Sequence, residues 1–431
     1  MREQIIKVAL ICALLGLFTY EPSYAQKTTG LAPLIQEALK NNPEIKAARA
    51  GWQASTKRPS QVGSLPNPTI GGRFKNVGFN EITRGEDPRT DIQIFLSQEI
   101  PFPGKLALKA KGATELSEAQ GWVLEATTTR VVAELTDAFY EWSLVWKSIE
   151  ITEENKKLVE SFVDITEKLY EVGEGIQQDA VKAQVELSAI LENLELLERR
   201  KEIVEARLRA ILNRPPTAQL GIPEEREMSK LAISYTELED MIELTAPRLK
   251  VRKNIIESKE EDLKLAKRQY YPDFVVEGTY FNRDGGDGNL RDIWQVGLGL
   301  RVPLYFWRKE RFGVLEASSD LLQAQENYDA TKNTLSFEAA KEYAKLRSAE
   351  RLVSLYKDGI IPQSQLALES ALTGYRVGKV DFLTLLDNTK TLFDFEIEYW
   401  RRRAEYEQAL ASLEDITGTN LTDKTTDSGG N

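Results

Sequence analysis

Residues 293–302 read Ile-Trp-Gln-Val-Gly-Leu-Gly-Leu-Arg-Val, and this stretch decides the fold class. Large apolar side chains alternate there with polar residues and glycines, which is the period of two that a β-strand produces. Further strands are predicted at about 68–80, 90–101 and 272–282. Strands of about ten residues with one apolar face are typical of a transmembrane barrel and also of a half-buried soluble sheet. Because bacterial barrels need about eight strands, a barrel would require strands from further copies of the chain.

The predicted strands belong to two repeats of one pattern. Pro43 and Pro247 open similar segments and lie 204 residues apart, as do Pro68 and Pro272. Each half predicts a short helix, two strands, a very long helix, a tight turn and a second long helix. We place repeat 1 at residues 26–220 with its helical hairpin at about 105–213, repeat 2 at 221–418 with its hairpin at about 308–416, and a flexible tail at 419–431.

The hairpin helices carry the apolar spacing of a coiled coil. No proline occurs between Pro103 and Pro215, nor between Pro303 and Pro362. From Ile176 to Ile211, apolar residues recur in steps of four and three, and only Lys201 interrupts them. This period of 3.5 predicts left-handed coiling of the two helices. The helices alone would also be consistent with a coiled-coil rod, but a rod of this kind contains no β-strands and would leave the four predicted strands unexplained.

Composition excludes most chemical functions. The chain has 431 residues, a net charge of −11, no histidine and one cysteine. Cys12 lies in residues 1–25, which resemble a secretory signal peptide with a short apolar core. Without histidine or a cysteine in the exported chain, the usual triads and zinc or haem ligand sets are absent from the sequence. We therefore predict no enzyme, cofactor or metal site, and the acidic balance argues against nucleic-acid binding.

The two repeats resemble the TolC-type outer-membrane efflux factors, and the resemblance covers about residues 31–418. The tetrapeptides Tyr170-Glu171-Val172-Gly173 and Tyr375-Arg376-Val377-Gly378 fall where the hairpin tips of that family lie. Residues 97–105, Ser-Gln-Glu-Ile-Pro-Phe-Pro-Gly-Lys, resemble the strand-to-helix joint of the branch that serves metal-efflux pumps of the RND type, and 303–309 are the counterpart in repeat 2. The resemblance implies a mainly α-helical fold with a β-barrel part. In that fold a homotrimer forms a periplasmic helical tunnel and a 12-stranded barrel in the outer membrane of a Gram-negative cell.

The resemblance also implies partners and site residues. Family members dock on a periplasmic adaptor and an inner-membrane pump, sit in outer-membrane lipid and export cargo without chemistry. The residues expected at adaptor-contacting tips are Val172, Gly173, Gly175, Asp179, Val377 and Gly378. The residues expected at a tunnel lock are Tyr375, Asp387 and Thr384. Thr384 stands where the family has an aspartate and Val380 where it has an arginine, so half of the lock is present.

Simpler interpretations stay open at this stage. The tip glycines could serve only the turns, Asp387 could be a solvated surface carboxylate, and Tyr375 could be an apolar seam residue. A secreted periplasmic coiled-coil scaffold or adaptor without membrane strands is the alternative function. The sequence does not distinguish heavy-metal from drug export, although the lack of histidine and cysteine argues against selective soft-metal binding by this chain.

Overall fold

The computed structural model describes residues 28–75, 90–231, 233–283 and 291–422. Several predicted segments lie outside the described residues. They are the signal peptide at 1–25, residues 76–80 of the first predicted strand, residues 81–89 and 284–290 of the turns that connect the strands, and residues 423–431 of the predicted tail. Repeat 1 comprises β1 (Thr28–Thr29), α1 (Leu31–Asn41), α2 (Pro43–Ser55), α3 (Arg58–Gly63), β2 (Thr69–Lys75), β3 (Asp91–Ile100), α4 (Lys105–Glu171) and α5 (Gln177–Ile211). Repeat 2 comprises β4 (Ile222–Pro223), α6 (Tyr235–Thr245), α7 (Pro247–Arg268), β5 (Asp273–Arg283), β6 (Ile293–Arg301), α8 (Lys309–Leu355), a π-helical turn (Tyr356–Ile360), α9 (Ile361–Arg376) and α10 (Phe382–Thr417).

The long helices pair through the apolar seam that the sequence indicates. Helix α4 has 67 residues, and at 1.5 Å per residue it extends about 100 Å. On α5 the buried seam residues are Ala180, Ala183, Ile190, Leu194, Val204 and Leu208. Lys201, which interrupts the seam, places its Nζ 4.5 Å from the centre of the Trp146 ring, so its charge rests on an aromatic face. Across the described part of the chain, no helix has a stretch long and apolar enough to cross a bilayer.

Three apolar clusters form the core. One lies in repeat 1 around Phe139 and Trp142, and a second lies in repeat 2 around Leu346 and Tyr406. The third is built from both hairpins near their tips, and its buried members are Val159, Phe162, Ala183, Ile190, Leu194, Ala371, Phe382 and Leu385. This shared cluster holds the two hairpins together where the candidate tip residues lie.

The sequence pattern predicts one continuous long helix in repeat 2, but the structure shows an interruption. A π-helical turn at Tyr356–Ile360 separates α8 from α9, and the amide of Ile361 donates to the Tyr356 carbonyl. Pro362 follows at once and has no N–H to donate to the preceding turn. The wider turn accommodates the proline without ending the helix. The corresponding part of α4 is regular α-helix.

The four long strands form one antiparallel sheet in the order β2-β3-β5-β6. Registers such as Ile70 with Leu96, Ile94 with Tyr280 and Tyr280 with Trp294 place all even-numbered residues on one face. That face is almost entirely apolar, whereas the odd-numbered face carries polar side chains and glycines at most positions. Both outer strands, β2 and β6, have one edge without a partner among the described residues.

Candidate functional site at the hairpin tips and the sheet

Both hairpins reverse through the same backbone motif. The amide of Gly173 donates to the Tyr170 carbonyl at 3.0 Å, and that of Glu174 donates to the Leu169 carbonyl at 2.9 Å. In repeat 2 the amides of Gly378 and Lys379 donate to the matching carbonyls at 3.0 and 2.9 Å. This is the Schellman arrangement, which requires a left-handed residue after the helix. Gly173 and Gly378 supply it, with φ of 74° and 70°.

Space around the tip glycines differs from glycine to glycine. A Cβ added to Gly173 or Gly378 would meet no atom within 4 Å. Both glycines therefore serve the turn conformation, and both leave an open surface that a partner could approach. A Cβ on Gly175, in contrast, would lie 2.9 Å from the Cβ of Leu169. Gly175 is required by packing inside its own hairpin.

Repeat 2 makes an equivalent contact, but there the glycine and the larger side chain have exchanged positions. Gly374 and Val380 occupy the positions that Leu169 and Gly175 occupy in repeat 1. A Cβ on Gly374 would lie 2.5 Å from Val380 Cγ2, and Val380 packs on the shared cluster. This contact explains why a valine suits position 380, where the resemblance to the efflux factors implied an arginine. The sequence analysis missed Gly374, although glycine in the last turn of a helix, six residues before a valine, was the available signal.

Tyr375 in the second hairpin lies near enough to Asp179 in the first for the two side chains to interact electrostatically. The Tyr375 ring centre lies 5.8 Å from that of Phe382 in the shared cluster. Burial and, secondarily, the Asp179 charge raise the pKa of Tyr375. Burial and the nearby Asp381 charge raise the pKa of Asp179. The Tyr375 hydroxyl has no hydrogen-bond partner within the described part of this chain.

Thr384 and Asp387 are not part of this arrangement. Asp381, which the sequence analysis missed, is the N-cap of α10, and its carboxylate accepts from the Thr384 amide at 2.7 Å. An aspartate three residues before a threonine at the start of an apolar helix was the signal for it. Asp387 is exposed and forms no ion pair or hydrogen bond with other described residues. Val172 and Val377 are also exposed, by 69% and 64%.

The sheet is exposed on the side that a soluble protein would bury. Gln93 and Thr279 on the polar face are only 4% and 5% exposed. On the apolar face, nine large side chains are 39–83% exposed, namely Ile70, Phe74, Ile94, Leu96, Phe274, Trp294, Val296, Leu298 and Leu300. Contiguous apolar surface of this extent marks contact with lipid or another protein.

The joint between β3 and α4 is locked to repeat 2. Lys105 is 3% exposed, and its Nζ lies 2.8 Å from Asp273 Oδ1 and 2.9 Å from the Tyr271 carbonyl oxygen. The Phe102 amide donates to the same Asp273 oxygen at 2.7 Å, and the Phe102 ring stacks on Tyr271 with centres 4.6 Å apart. The counterpart in repeat 2 is open, since Tyr305, Phe306 and Trp307 are 50–69% exposed.

Among the residues that the structure describes, no group of three or more acidic, histidine or cysteine side chains is arranged to hold a metal ion. The arrangement offers two surfaces: an exposed apolar sheet with open edges, and open hairpin tips at the far end of helices about 100 Å long.

Comparison with known proteins identifies the class to which these surfaces belong. The family model described as "Outer membrane efflux protein" matches residues 34–214 and 240–419, one match in each repeat. The chain therefore belongs to the outer membrane efflux protein family, whose members are channel proteins rather than enzymes.

Individual relatives are distant and match nearly full length. The outer membrane protein TolC of Vibrio cholerae is 20% identical, with 90% of each chain covered. The cobalt-zinc-cadmium resistance protein CzcC of Cupriavidus metallidurans is 21% identical, with 92% of each covered. The solved outer-membrane channel OprN is 20% identical, with a TM-score of 0.78 over 91% of this chain and 90% of that one. The predicted resemblance to TolC-type proteins and the predicted function as an outer-membrane efflux channel are confirmed.

Proposed function

We propose that three copies of this chain form the exit duct of a tripartite efflux system. After export by the signal peptide predicted at 1–25, each copy contributes the two strands and one helical hairpin of repeat 1 (26–220) and of repeat 2 (221–418). The twelve strands close a barrel in the outer membrane of a Gram-negative cell, and the hairpins form a periplasmic tunnel. An adaptor and an inner-membrane pump of the RND type deliver cargo to the tips.

The observation that carries this proposal is the exposed apolar face of the sheet, next to two open strand edges. Water disfavours such a face, and an open edge in a bilayer leaves backbone groups without partners. Lipid against the apolar face and neighbouring copies against the edges of β2 and β6 satisfy both requirements. A periplasmic scaffold, the alternative function, would leave the apolar face in water.

The internal repeat predicts how β6 of one copy pairs with β2 of the next. Leu96 of β3 pairs with Gly278 of β5 inside the chain. Pro101 and Pro303, which end the equivalent strands, are 202 residues apart, and Pro68 and Pro272 are 204 apart. Applying these offsets to the internal pair matches Leu298 with Phe74 of the neighbouring copy. Both residues then lie on the apolar face.

Disulfide cross-linking tests the assembly. The only native cysteine is Cys12, in the predicted signal peptide, so the exported protein offers a background without thiols. We expect Leu298→Cys combined with Phe74→Cys to give covalent trimers in outer-membrane fractions. Two strands separate these residues within one chain, a gap of about 14 Å at about 4.8 Å per strand, so an internal disulfide is excluded.

The matched control pairs Leu298→Cys with Lys75→Cys, which lies one residue further along and on the opposite face of β2. This pair should cross-link far less, because a shift of one residue reverses the side-chain direction. Equal cross-linking of both pairs would contradict the register. Absence of intermolecular cross-links from every pair, with soluble periplasmic protein, would contradict the duct itself.

The tips and the lock complete the proposal. Val172, Gly173, Gly175 and Asp179 in repeat 1, with Val377 and Gly378 in repeat 2, form the adaptor-contacting tips. The open space at Gly173 and Gly378 supports close approach of a partner. Tyr375, Asp387 and Thr384 lie where three copies would narrow the tunnel, and the free hydroxyl of Tyr375 is available to a neighbouring copy. CzcC is named for resistance to metal ions, which makes cations one candidate cargo class.

A further inference from the structure

The helix ends next to the sheet carry a charge opposite to that of the whole chain. Strand β3 leads into α4, β6 leads into α8, and α7 leads into β5, all at one end of the sheet. Residues 105–111, 264–268 and 308–311 contain nine lysines and arginines and one acid, Glu310, in a chain whose net charge is −11. The positive charge is therefore concentrated beside one border of the apolar face.

Six of these nine cations form no ion pair with a described residue. Lys105 pairs with Asp273, and Lys111 and Lys264 pair with Glu261. Arg268 donates to the Pro103 carbonyl oxygen at 2.8 Å. The remaining cations are exposed and form no ion pair with any residue that the structure describes; we call them the basic collar, and they are Lys109, Lys267, Arg308, Lys309 and Arg311.

Helix stability does not account for the collar residues at the starts of α4 and α8, although Lys267 lies in the last turn of α7, where a cation is favourable. Cations near a helix N-terminus oppose the helix dipole, where acidic residues are favoured. The first turn of α4 nevertheless contains no acid, and the first turn of α8 contains Lys309 and Arg311 beside its one acid, Glu310. Side chains near a helix N-terminus lean toward that end, which for α4 and α8 is the end at the sheet.

Exposed aromatic residues lie between the collar and the apolar face. Tyr270 and Tyr271 connect α7 to β5, and Tyr305, Phe306 and Trp307 connect β6 to α8; these five are 39–69% exposed. Tyrosine and tryptophan favour the boundary between lipid tails and water. The order along this border is thus apolar strand, aromatic residues and unpaired cations, which matches the order of tails, interface and phosphates in a leaflet.

We propose that the basic collar binds the phosphates of anionic phospholipids in the leaflet that faces the helical tunnel, and thereby fixes the depth of the barrel. This inference rests on the proposed function, in which the sheet crosses the outer membrane. The collar would then stabilise insertion only where the leaflet carries negative charge.

The test uses the purified full-length assembly and vesicles of phosphatidylcholine, with or without about one quarter phosphatidylglycerol. Insertion is measured by flotation after a carbonate wash, and bound phosphatidylglycerol by native mass spectrometry. A cation near an anionic surface contributes about fivefold to binding. We expect phosphatidylglycerol to raise insertion of the parent protein at least tenfold, and high salt to reduce this gain.

Replacing all five collar residues by glutamine should abolish the gain and the bound phosphatidylglycerol, while insertion into phosphatidylcholine stays unchanged. The matched control replaces by glutamine five exposed cations that form no ion pair with a described residue and lie at least 40 residues along the chain from any collar residue, namely Lys182, Arg199, Arg351, Lys357 and Lys390. It removes the same charge and should retain the gain.

A parent protein that inserts equally into both vesicles would overturn the proposal, without need of any variant. So would a collar variant that keeps the gain, or one that loses binding to the adaptor or to neighbouring copies instead. A parent protein that inserts into neither vesicle would contradict the proposed function itself, so the two failures are distinguishable.

Discussion

At the scale of single residues, glycine has two separate roles at the tips. Gly173 and Gly378 adopt φ values near 70° and have open space beyond the Cα. Gly175 and Gly374 are in contact with a neighbouring side chain that leaves no room for a Cβ. Only the first pair could provide a partner with an unobstructed surface, so substitutions there separate turn formation from partner contact.

We expect Gly378→Val to reduce export and adaptor cross-linking while the protein still reaches the membrane. A β-branched residue in the left-handed region costs about 1–3 kcal/mol locally. Gly378→Asn is the informative companion, because asparagine tolerates this φ. If Gly378 serves only the turn, the asparagine variant should export normally; if the adaptor packs there, cross-linking should fall in both. Normal cross-linking and export by the valine variant would refute the tip assignment.

A buried carboxyl holds the connector between the repeats. Glu407 on α10 is 6% exposed, and its Oε1 accepts from the Ser229 amide at 2.7 Å. Burial raises the pKa of Glu407, although the Ser229 amide, Arg403 and Tyr140 act in the opposite direction. Because the folded state favours the neutral form, this residue contributes more to stability below its ordinary pKa and less as pH rises through the raised value.

We therefore expect Glu407→Gln to raise the melting temperature at pH 7 and to flatten its change between about pH 4 and pH 7. Glutamine keeps an oxygen for the Ser229 amide and removes the charge. Thermal melts of the detergent-solubilised protein across this range provide the measurement. The role assigned to burial would be contradicted if the variant had the same pH profile as the parent protein. It would also be contradicted if the variant melted at a lower temperature than the parent protein at pH 7.

At the scale of elements, the two strand-to-helix joints have diverged. The joint after β3 buries Lys105 against Asp273 of repeat 2, whereas the joint after β6 leaves Lys309 exposed and unpaired within the described chain. The first joint fixes the sheet on the helices inside one copy. The second presents its aromatic and basic residues to the surroundings.

Lys105→Met should lower the temperature at which heat-resistant oligomers dissociate in gels. Removing one partner of a buried ion pair costs about 3 kcal/mol, since Asp273 is left charged. Lys309→Met removes the equivalent lysine of repeat 2 and should leave the dissociation temperature within about 1 °C, because an exposed unpaired cation contributes little to stability. Similar shifts in both variants would show that the ion pair is not what holds the joint.

Periodicity predicts the elements of this chain well, and local contacts less well. The seam of α5 follows from steps of four and three because coiled helices bury one stripe, and the strands follow from a period of two. The π-turn before Pro362 does not follow, since a proline equally permits a kink or a helix end. The proximity of Asp179 to Tyr375 depends on how two hairpins nearly 200 residues apart pack together. The spacing of residues along one helix does not reveal such packing.

At the scale of the whole molecule, a single copy is incomplete in two places. Among the described residues, its sheet has open edges and an exposed apolar face, and its tips have exposed valines and a tyrosine hydroxyl without a partner. Threefold assembly would pair the edges and bring three copies of Tyr375 and Asp387 toward one axis. The proposed tunnel lock would therefore be a property of the assembly, which agrees with the lack of a polar contact between Asp387 and any other described residue of one copy.

Planar-bilayer recordings test the lock. Three Asp387 carboxylates near the axis should hold a hydrated cation, as acidic rings do in cation pores. We expect Asp387→Asn to weaken block by divalent cations and Tyr375→Phe to raise resting conductance. Lys182 occupies the position equivalent to Asp387 in repeat 1, and Lys182→Gln serves as the matched control with unchanged block. Unaltered cation block and resting conductance in the Asp387 and Tyr375 variants would contradict the lock and indicate that both residues have only a structural role.

The mass of the protein extracted from outer membranes in mild detergent tests the central claim most directly. Four strands with open edges do not suffice for a stable membrane protein, so membrane residence should require assembly. Native mass spectrometry should give three copies of the exported chain, with no monomer in the outer-membrane fraction. A stable monomer inserted in that membrane would contradict the account.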